Sequence, residues 1–359
     1  MFLTKFLRNP SSGNYIREVD ALRFFAILPV LMLHMNTSFF RNFETVFFNE
    51  LEFSFLKHGI WGVELFFAIS GFVISLPFFI KIQSHNYNIL TKNYFIKRFK
   101  RIEPPFIVSL LIIYIISLVS TRLVFSDSID NFIASLFYVH KFIYAEWSII
   151  NPVTWSLETE IQFYMFIPFI FLAFSKIKKV YIYILASLIF AISIYLHSSV
   201  DSVDLLGPRL NKSILRYAHL FIVGIYISYL YVYKNQYFKK SFIFDVIFLI
   251  SFALIYAAKI LDLIVLLDIG IFLLFISIFK SKIFNKLFCK NIFVIIGGMC
   301  YSIYLLHYAI IHFSHNSLKF LQIENYIIVN TLSIILVIFI SSIFYLYVEK
   351  PFMTSVKNK

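Results

Sequence analysis

The chain has 359 residues, of which 60% are hydrophobic and only 14% are charged, and its mean hydropathy of +0.83 exceeds what a water-soluble core requires. Apolar runs recur along the whole length, which excludes a cleavable signal peptide or a single anchor as their explanation. The net charge of +13 fits basic loops that face an anionic membrane surface, and it gives no reason to expect nucleic acid as a partner. Lipid is therefore the expected solvent.

The apolar stretches predict an all-α, polytopic integral membrane bundle of about ten transmembrane helices. A span requires about 20 mostly apolar residues, because about 30 Å of hydrocarbon is crossed at about 1.5 Å per residue. The segment 131-146 is apolar but is interrupted by His140 and Lys141, and it is predicted to be interfacial or re-entrant. One membrane domain over 1-359, with short tails at about 1-19 and 348-359, is the expected organisation. The predicted spans are 20-40, 59-80, 104-124, 154-175, 179-197, 213-233, 242-258, 260-279, 291-312 and 325-347.

The basic residues predict the orientation of this bundle. With ten spans and the amino end inside, the inner segments hold 22 of the 32 Lys and Arg residues and the outer segments hold eight. Short cytoplasmic loops retain Lys and Arg, so a multi-pass protein of the inner or plasma membrane with both termini in the cytoplasm is expected. The two cysteines, Cys289 and Cys300, give neither a disulfide framework nor a paired metal-ligand spacing, and no metal is predicted.

The first predicted helix carries the densest set of ionisable residues. Arg23 and His34 are eleven residues apart, about three turns plus 20°, so they share one stripe of the helix at a separation of about 16 Å. Asp20 precedes Arg23 by three residues, close enough to pair with it. Because a charge deep in a membrane helix is costly, this stripe is a candidate catalytic passage. The alternatives are a snorkelling interfacial arginine and a histidine that packs between helices.

Further polar residues fall on the outer halves of other predicted helices. Glu64 enters the second helix at roughly the depth of His34, and Glu160 lies in the fourth. A carboxylate beside an imidazole fixes its tautomer and raises its basicity, as a general base requires. The alternative for both glutamates is a purely structural role between packed helices. The candidate substrate-binding residues on these outer halves are Trp155, Ser156, Tyr304 and His307.

On the predicted inner side, Arg98 and Arg101 are three residues apart just before the third helix. Their planar guanidinium groups suit phosphate oxygens, although ordinary positive-inside charge is the alternative. The chain has only nine glycines and no Gly-x-Gly-x-x-Gly pattern, so side chains would have to hold any phosphate-bearing ligand.

Together these segments resemble acyltransferase family 3, a family of membrane O-acyltransferases, over essentially the whole chain. Six blocks match in the same order. They are Asp20 and Arg23 with His34; 62-67 with Ser70-Gly71-Phe72; Arg98 and Arg101 followed by Ile102 and Pro104; Trp155-Ser156-Leu157 with Glu160, Phe163 and Tyr164; 301-307, which reads Tyr-Ser-Ile-Tyr-Leu-Leu-His; and 348-352, which reads Val-Glu-Lys-Pro-Phe. The sequence departs from the family at Ala21, where a glycine is common.

The resemblance implies an acyl-CoA donor on the cytoplasmic side, usually acetyl-CoA as co-substrate, and an acceptor hydroxyl on a glycan at or beyond the outer face. Arg98 and Arg101 are then expected to bind the donor. His34 is expected to act as base or acyl relay, with Arg23 and Asp20 holding the passage geometry. The absence of an esterase-like domain after the last predicted helix is expected of a stand-alone acyltransferase module.

Two other classes of function compete with this interpretation. In a proton-coupled secondary transporter, His34 and Glu64 would couple protons and the arginines would filter a small or sugar-like substrate. A structural or lipid-scrambling membrane protein is the third class. The sequence shows no inverted repeat or paired broken helices that would favour a transporter.

Overall fold

The computed structural model describes residue 6 and residues 15–43, 58–85, 92–198, 207, 209–234 and 239–353. Within these ranges the chain is helical apart from turns and short irregular segments, and none of the described residues lies in a β-strand. The predicted all-α class is confirmed. In chain order the helices are α1 Arg17–Phe43, α2 Trp61–Gln83, α3 Lys92–Val119, α4 Phe125–Leu136, α5 His140–Tyr144, α6 Trp155–Lys176, α7 Lys179–Ser198, α8 Ile214–Tyr233, α9 Ile243–Ile260, α10 Ile264–Lys280, α11 Ile283–Phe288, α12 Asn291–Gly298, α13 Cys300–Phe320 and α14 Tyr326–Phe344.

The described helices support a multi-pass membrane protein. Judged by length and composition, six of them are long and apolar enough to cross a membrane, and α12 with α13 make a seventh if the pair is one broken span. Helix α10 has 17 residues, which is at the short end of the range of about 17–25 residues for a spanning helix. The count of ten spans therefore stays a prediction. Where α7, α9 and α14 face outward, large apolar side chains such as Leu185, Leu249 and Phe339 are exposed, as lipid-facing surfaces require.

The predicted ninth helix is in fact two helices. The axis bends by 69° at Met299, between α12 and α13. A pair of glycines, Gly297 and Gly298, precedes the bend, and glycine pairs are a known cause of helix kinks. Gly297 also packs directly on the backbone carbonyl of Asp20, where a Cβ atom would overlap the oxygen. A glycine at this position thus lets α12 approach α1 closely.

Two other predicted boundaries also differ from the structure. The segment 131-146 forms parts of two short helices, α4 and α5, each too short to span a membrane alone. Helix α3 begins at Lys92, about three turns before the predicted start at 104, so Arg98 and Arg101 lie within it. Both arginines lie in the part of α3 that precedes Pro104 and Pro105, and their spacing of three residues places them about one helical turn apart.

Helix α1 lies between two apolar cores. One core is built mainly from α1, α2, α6, α8, α9 and α10, and the other mainly from α1, α3, α12, α13 and α14. Ala26 of α1 belongs to the first core and its neighbour Ile27 to the second. Since both faces of α1 are buried in this way, its polar residues are held between the two halves of the bundle.

Candidate active site

A cavity of about 90 Å³ lies where the two halves of the bundle meet. It can hold a few water molecules or an acyl group, whereas a whole nucleotide needs a pocket of several hundred Å³. Five helices line it: α1 contributes Arg23; α2 contributes Phe66, Phe67, Ile69, Ser70, Val73 and Ile74; α3 contributes Arg98, Arg101 and Ile102; α6 contributes Ser156, Leu157, Glu160 and Tyr164; and α13 contributes Cys300, Tyr301 and Tyr304.

Three arginines meet at this cavity. Arg98 and Arg101 come from one face of α3, and Arg23 comes from α1. The Arg98 guanidinium carbon lies 5.8 Å from the Tyr94 ring centroid and 5.9 Å from that of Tyr164. Among the described residues, neither Arg98 nor Arg101 forms an ion pair with a carboxylate. Their guanidinium groups therefore remain available to an anionic ligand.

The pairing of Asp20 with Arg23 that the spacing predicts is present. Arg23 Nη1 donates to Asp20 Oδ1 at 2.5 Å, and the hydroxyl of Tyr15 donates to Asp20 Oδ2 at 2.7 Å. Asp20 is 1% exposed and Arg23 is 7% exposed, so both charges are withdrawn from solvent. The aspartate thus holds the arginine at the edge of the cavity.

Glu160 is the carboxylate among the cavity-lining residues. It accepts hydrogen bonds from the hydroxyls of Ser70 and Tyr164, both of which also line the cavity. The backbone of Tyr164 accepts in turn from the hydroxyl of Tyr94 on α3, at 3.2 Å. The negative charge of Glu160 is consequently fixed opposite the positive charges of the three arginines.

Ser156 and Tyr304 form another part of the cavity wall. Their hydroxyl oxygens are 2.7 Å apart, and Tyr304 also donates to the backbone carbonyl of Val153. Trp155, the neighbour of Ser156, does not line the cavity. Its ring packs instead against Phe67 and Tyr217.

His34 and His307 lie beyond Tyr304 and do not line the cavity. Their ring centroids are 5.1 Å apart, and the Tyr304 and His307 centroids are separated by 5.8 Å. His307 Nδ1 donates to the carbonyl oxygen of Tyr304 at 2.8 Å, because a carbonyl can only accept. In the neutral ring its Nε2 therefore carries a lone pair, and this buried atom has no hydrogen-bond partner among the described residues. His34 is only partly buried.

The structure does not bring Glu64 to His34. Glu64 accepts from Lys259 Nζ at 2.8 Å, and one of its oxygens lies 3.7 Å from Nε2 of His197. Hydrogen bonds then join His197 to His219 at 2.8 Å, and His219 to the carboxylate of Asp268 at 2.8 Å. This buried set of contacts links α2, α7, α8, α9 and α10 near the ends of those helices, apart from the cavity.

Four further residues line the cavity that were not predicted as site residues from the sequence, namely Ser70, Tyr164, Cys300 and Tyr301. A helical-spacing signal was available for two of them. Tyr164 follows Glu160 by four residues and Tyr301 precedes Tyr304 by three, which places each on the same helical face as a selected residue. The inclusion of Cys300 depends on the bend at Met299, which the composition alone does not reveal.

Comparison with known proteins identifies the family to which the chain belongs. The profile of one family, described as an acyltransferase domain, matches residues 16–346. The chain belongs to acyltransferase family 3. No solved structure matches it.

Several relatives of this acyltransferase-family chain are known. A Staphylococcus aureus (strain COL) protein named "Putative O-acetyltransferase" is 28% identical over 380 residues, covering 94% of this chain and 57% of that protein. The peptidoglycan O-acetyltransferase OatA of Listeria monocytogenes serovar 1/2a is 28% identical over 182 residues, covering 47% of this chain and 26% of the relative. O-acetyltransferase OatA of S. aureus strain NCTC 8325 is 25% identical over 175 residues, with shares of 46% and 26%. The chain thus spans little more than half the length of the S. aureus COL relative, and a quarter of each OatA protein is aligned.

Proposed function

We propose that the chain is a membrane O-acyltransferase that transfers an acyl group, specifically acetyl, from cytoplasmic acyl-CoA to a hydroxyl of a cell-surface or lipid-linked glycan. One observation carries this proposal. A single cavity holds three arginines opposite one carboxylate, and a paired imidazole site lies behind its Ser156 and Tyr304 wall. Membership of the acyltransferase family and the names of the relatives support the same reaction class.

Arg98 and Arg101 bind the phosphate-bearing end of the donor in this proposal. Two guanidinium groups one turn apart on α3, without carboxylate partners among the described residues, match the charge and geometry of phosphate oxygens. Arg23 lies across the same cavity and is held by Asp20. The cavity is too small for the whole nucleotide, so it accommodates phosphate groups of the donor while the rest of the nucleotide remains outside it. The pantetheine arm then carries the thioester to His34, about 16 Å along α1 from Arg23.

His34 acts as the general base. It is partly exposed, whereas His307 is fully buried, so an acceptor hydroxyl can approach His34 more readily. His34 takes the hydroxyl proton as the oxygen attacks the thioester carbonyl. The C–O bond forms, the C–S bond breaks, and the His34 imidazolium returns the proton to the departing thiolate. His307, with its tautomer fixed by the backbone, supports the position of His34. A transient acyl-histidine on His34 is the alternative route.

Loss of the thioester tests the reaction class directly. Purified protein in detergent, supplied with acetyl-CoA and a glycan fragment, is expected to release free thiol and to yield an acetylated glycan detectable by mass spectrometry. Intact acetyl-CoA in the presence of folded protein and a range of glycan hydroxyls would contradict the proposal and favour a transporter, since transport consumes no thioester.

Replacing Arg98 or Arg101 by alanine is expected to weaken binding of acetyl-CoA by about 10- to 100-fold, because each charge-assisted hydrogen bond contributes about 1.5–3 kcal/mol. Isothermal titration of coenzyme A into each purified variant measures this change. Lys97→Ala is the matched control, since this exposed lysine lies beside Arg98 on α3 without lining the cavity. Equal losses of affinity in all three variants would show that the two arginines act only as general positive-inside charge.

We infer that the protein resides in the inner or plasma membrane with both ends in the cytoplasm, on the basis of the distribution of Lys and Arg. A reporter fused after Lys359 is expected to lie inside, and one inserted within 41-57 is expected to lie outside. Both of these positions fall wholly or mostly outside the described residues. Reporters that respond from the same side would contradict the orientation and the count of ten spans.

A further inference from the structure

A buried serine, Ser213, lies at the start of α8. Ser213 precedes the helix with φ −108° and ψ 173°, the extended geometry of a capping residue, yet its side chain caps no backbone amide. The residue is 5% exposed, and its hydroxyl oxygen is buried without a hydrogen-bond partner among the described residues. A buried hydroxyl without a partner is costly, and one at the start of a 20-residue helix lies where the backbone favours anions.

Two cations flank this serine and neither has a carboxylate partner within the described ranges. Lys212 Nζ donates to the Tyr217 hydroxyl at 2.8 Å and lies 4.8 Å from the centroid of the Trp155 ring. Arg216 donates to the side chain of Asn211 and to the carbonyl of His197, and its Nε is buried without a partner among the described residues. By contrast, nearby Lys259 is paired with Glu64.

This arrangement opposes the usual electrostatics of a helix. The amino end of a helix carries a partial positive charge, which favours anionic side chains and disfavours cationic ones. Lys212 and Arg216 nevertheless lie at the amino end of α8, in and just before its first turn. Holding two partly buried cations there is unfavourable unless an anion joins them, and an oxyanion would satisfy both cations and the Ser213 hydroxyl together.

The same position adjoins the proposed active site. The carbonyl of Lys212 accepts from Thr159 at 2.7 Å, and the amide of Ile214 donates to Gln162 at 3.0 Å. These two α6 residues flank Glu160, which lines the cavity. A molecule bound at the start of α8 would therefore extend toward the acyl-transfer cavity along α6.

Aromatic rings beside the cations fit a sugar better than a lipid headgroup alone. The Trp155 ring lies under Lys212, and it packs edge-on against Trp147 at a centroid distance of 5.9 Å. Trp155 is only 8% exposed, whereas Trp147 is 47% exposed and has Lys141 Nζ 4.8 Å from its ring centroid, so the open aromatic surface is that of Trp147. Exposed aromatic rings provide flat apolar surfaces against which the C–H faces of sugars pack.

We propose that Lys212, Ser213 and Arg216, here termed the α8 cradle, bind an oxyanion, a phosphate or a carboxylate, carried by the glycan acceptor. This assignment rests on the proposed acyltransferase function for the identity of the acceptor. It makes the acceptor an anionic glycan. The cradle is an acceptor-positioning site, because it holds the glycan at a distance from the atoms that react.

The charge of Lys212 sets the expected pH dependence. Burial, with the Arg216 guanidinium nearby, lowers the pKa of Lys212 to about 8, while Glu64 opposes this shift and the cations Lys259 and Lys141 add to it. The charged form is present below this pKa and is lost as pH rises through it. Binding of an oxyanion to the cradle is therefore expected to weaken between about pH 7 and 9.

Inorganic sulfate is the probe of choice, because its charge is constant over that pH range. Titration calorimetry of the full chain in detergent, at constant ionic strength set with chloride, is expected to detect sulfate binding at pH 7. Lys212→Gln and Arg216→Gln are each expected to raise the Kd at least tenfold, Ser213→Ala to raise it less, and Arg216→Lys to recover part of the loss. Lys319→Gln, a lysine outside the cradle, is the matched control.

Several results would overturn the proposal. They are the absence of sulfate binding by the unaltered chain at millimolar concentrations, equal Kd values in the cradle variants and the control, and a Kd that does not rise between pH 7 and 9. Nanodiscs of phosphatidylcholine with and without phosphatidylglycerol form the second arm. If sulfate binds in nanodiscs of phosphatidylcholine alone but not in nanodiscs that contain phosphatidylglycerol, the site binds a lipid headgroup and the glycan assignment is overturned. Because binding is measured without turnover, failure of the cradle and failure of the acyltransferase function give separate readings.

Discussion

Replacement of His34 by alanine is expected to leave a protein that inserts, folds and binds coenzyme A but transfers acetyl groups about 10²- to 10⁴-fold more slowly, the usual loss when a general base is removed. Donor binding should persist because His34 lies outside the arginine-lined cavity. Single-turnover assays with labelled acetyl-CoA, normalised to folded protein from size-exclusion chromatography, measure the effect. A packing histidine would instead lower the yield of folded protein.

His307→Ala is the comparison for this variant. Both its ring nitrogens are withdrawn from solvent, and Nδ1 is held by the backbone of its own helix, so its removal is expected to slow transfer less than loss of His34. The free Nε2 lone pair makes this a demanding control, since it gives His307 the chemical capacity of a base. If His34→Ala retained most of its turnover while His307→Ala lost it, the base would be His307, and the Arg23 stripe of α1 would be structural.

Glu160→Gln is expected to separate donor binding from chemistry. The substitution keeps the side-chain size but removes the negative charge facing three arginines, so coenzyme A should bind at least as tightly as before. Transfer should nevertheless fall by about 10²-fold or more. The amide oxygen can still accept from Ser70 and Tyr164, which both donate to Oε1, so the substitution removes only the charge and the basicity of the carboxylate. Parallel coenzyme A titrations and single-turnover rates provide both measurements.

Glu158→Gln is the matched control on the same helix. Glu158 lies two residues from Glu160, is more deeply buried, and accepts from the backbone amide of Lys141 instead of lining the cavity. It is expected to retain most of the acyl transfer. Equal losses of rate in the two variants would make the effect of Glu160 a general consequence of altering α6, and weaker donor binding by Glu160→Gln would contradict the electrostatic argument.

Local sequence patterns were sufficient for several features of this protein. The all-helical class follows from repeated apolar runs, because a chain in lipid must satisfy its backbone hydrogen bonds within each helix. The Asp20 and Arg23 pair follows from their spacing, since residues three apart on a helix are neighbours. The shared face of Arg98 and Arg101 follows in the same way, and the structure places both at the cavity together with Arg23 and Glu160.

Contacts between helices decided the features that spacing along one helix could not. Depth along the membrane suggested that Glu64 would meet His34, but depth does not specify which neighbours a side chain faces. The packing of α2 against α8 directs Glu64 to Lys259 and His197 instead. The bend at Met299 and the meeting of His34 with His307 likewise depend on how α12 and α13 pack against α1.

The sequence by itself determined the helical membrane class and the family, together with which polar residues share a face of one helix, because helical periodicity and hydropathy are local properties. Only the tertiary structure decided which of those faces meet. It joined four of the predicted catalytic and donor residues at one cavity, separated His34 and Glu64 from it, and gathered Lys212, Ser213 and Arg216 beside α6. The physical reason is that partners from different helices are fixed by side-chain packing across the whole bundle, which no single segment encodes.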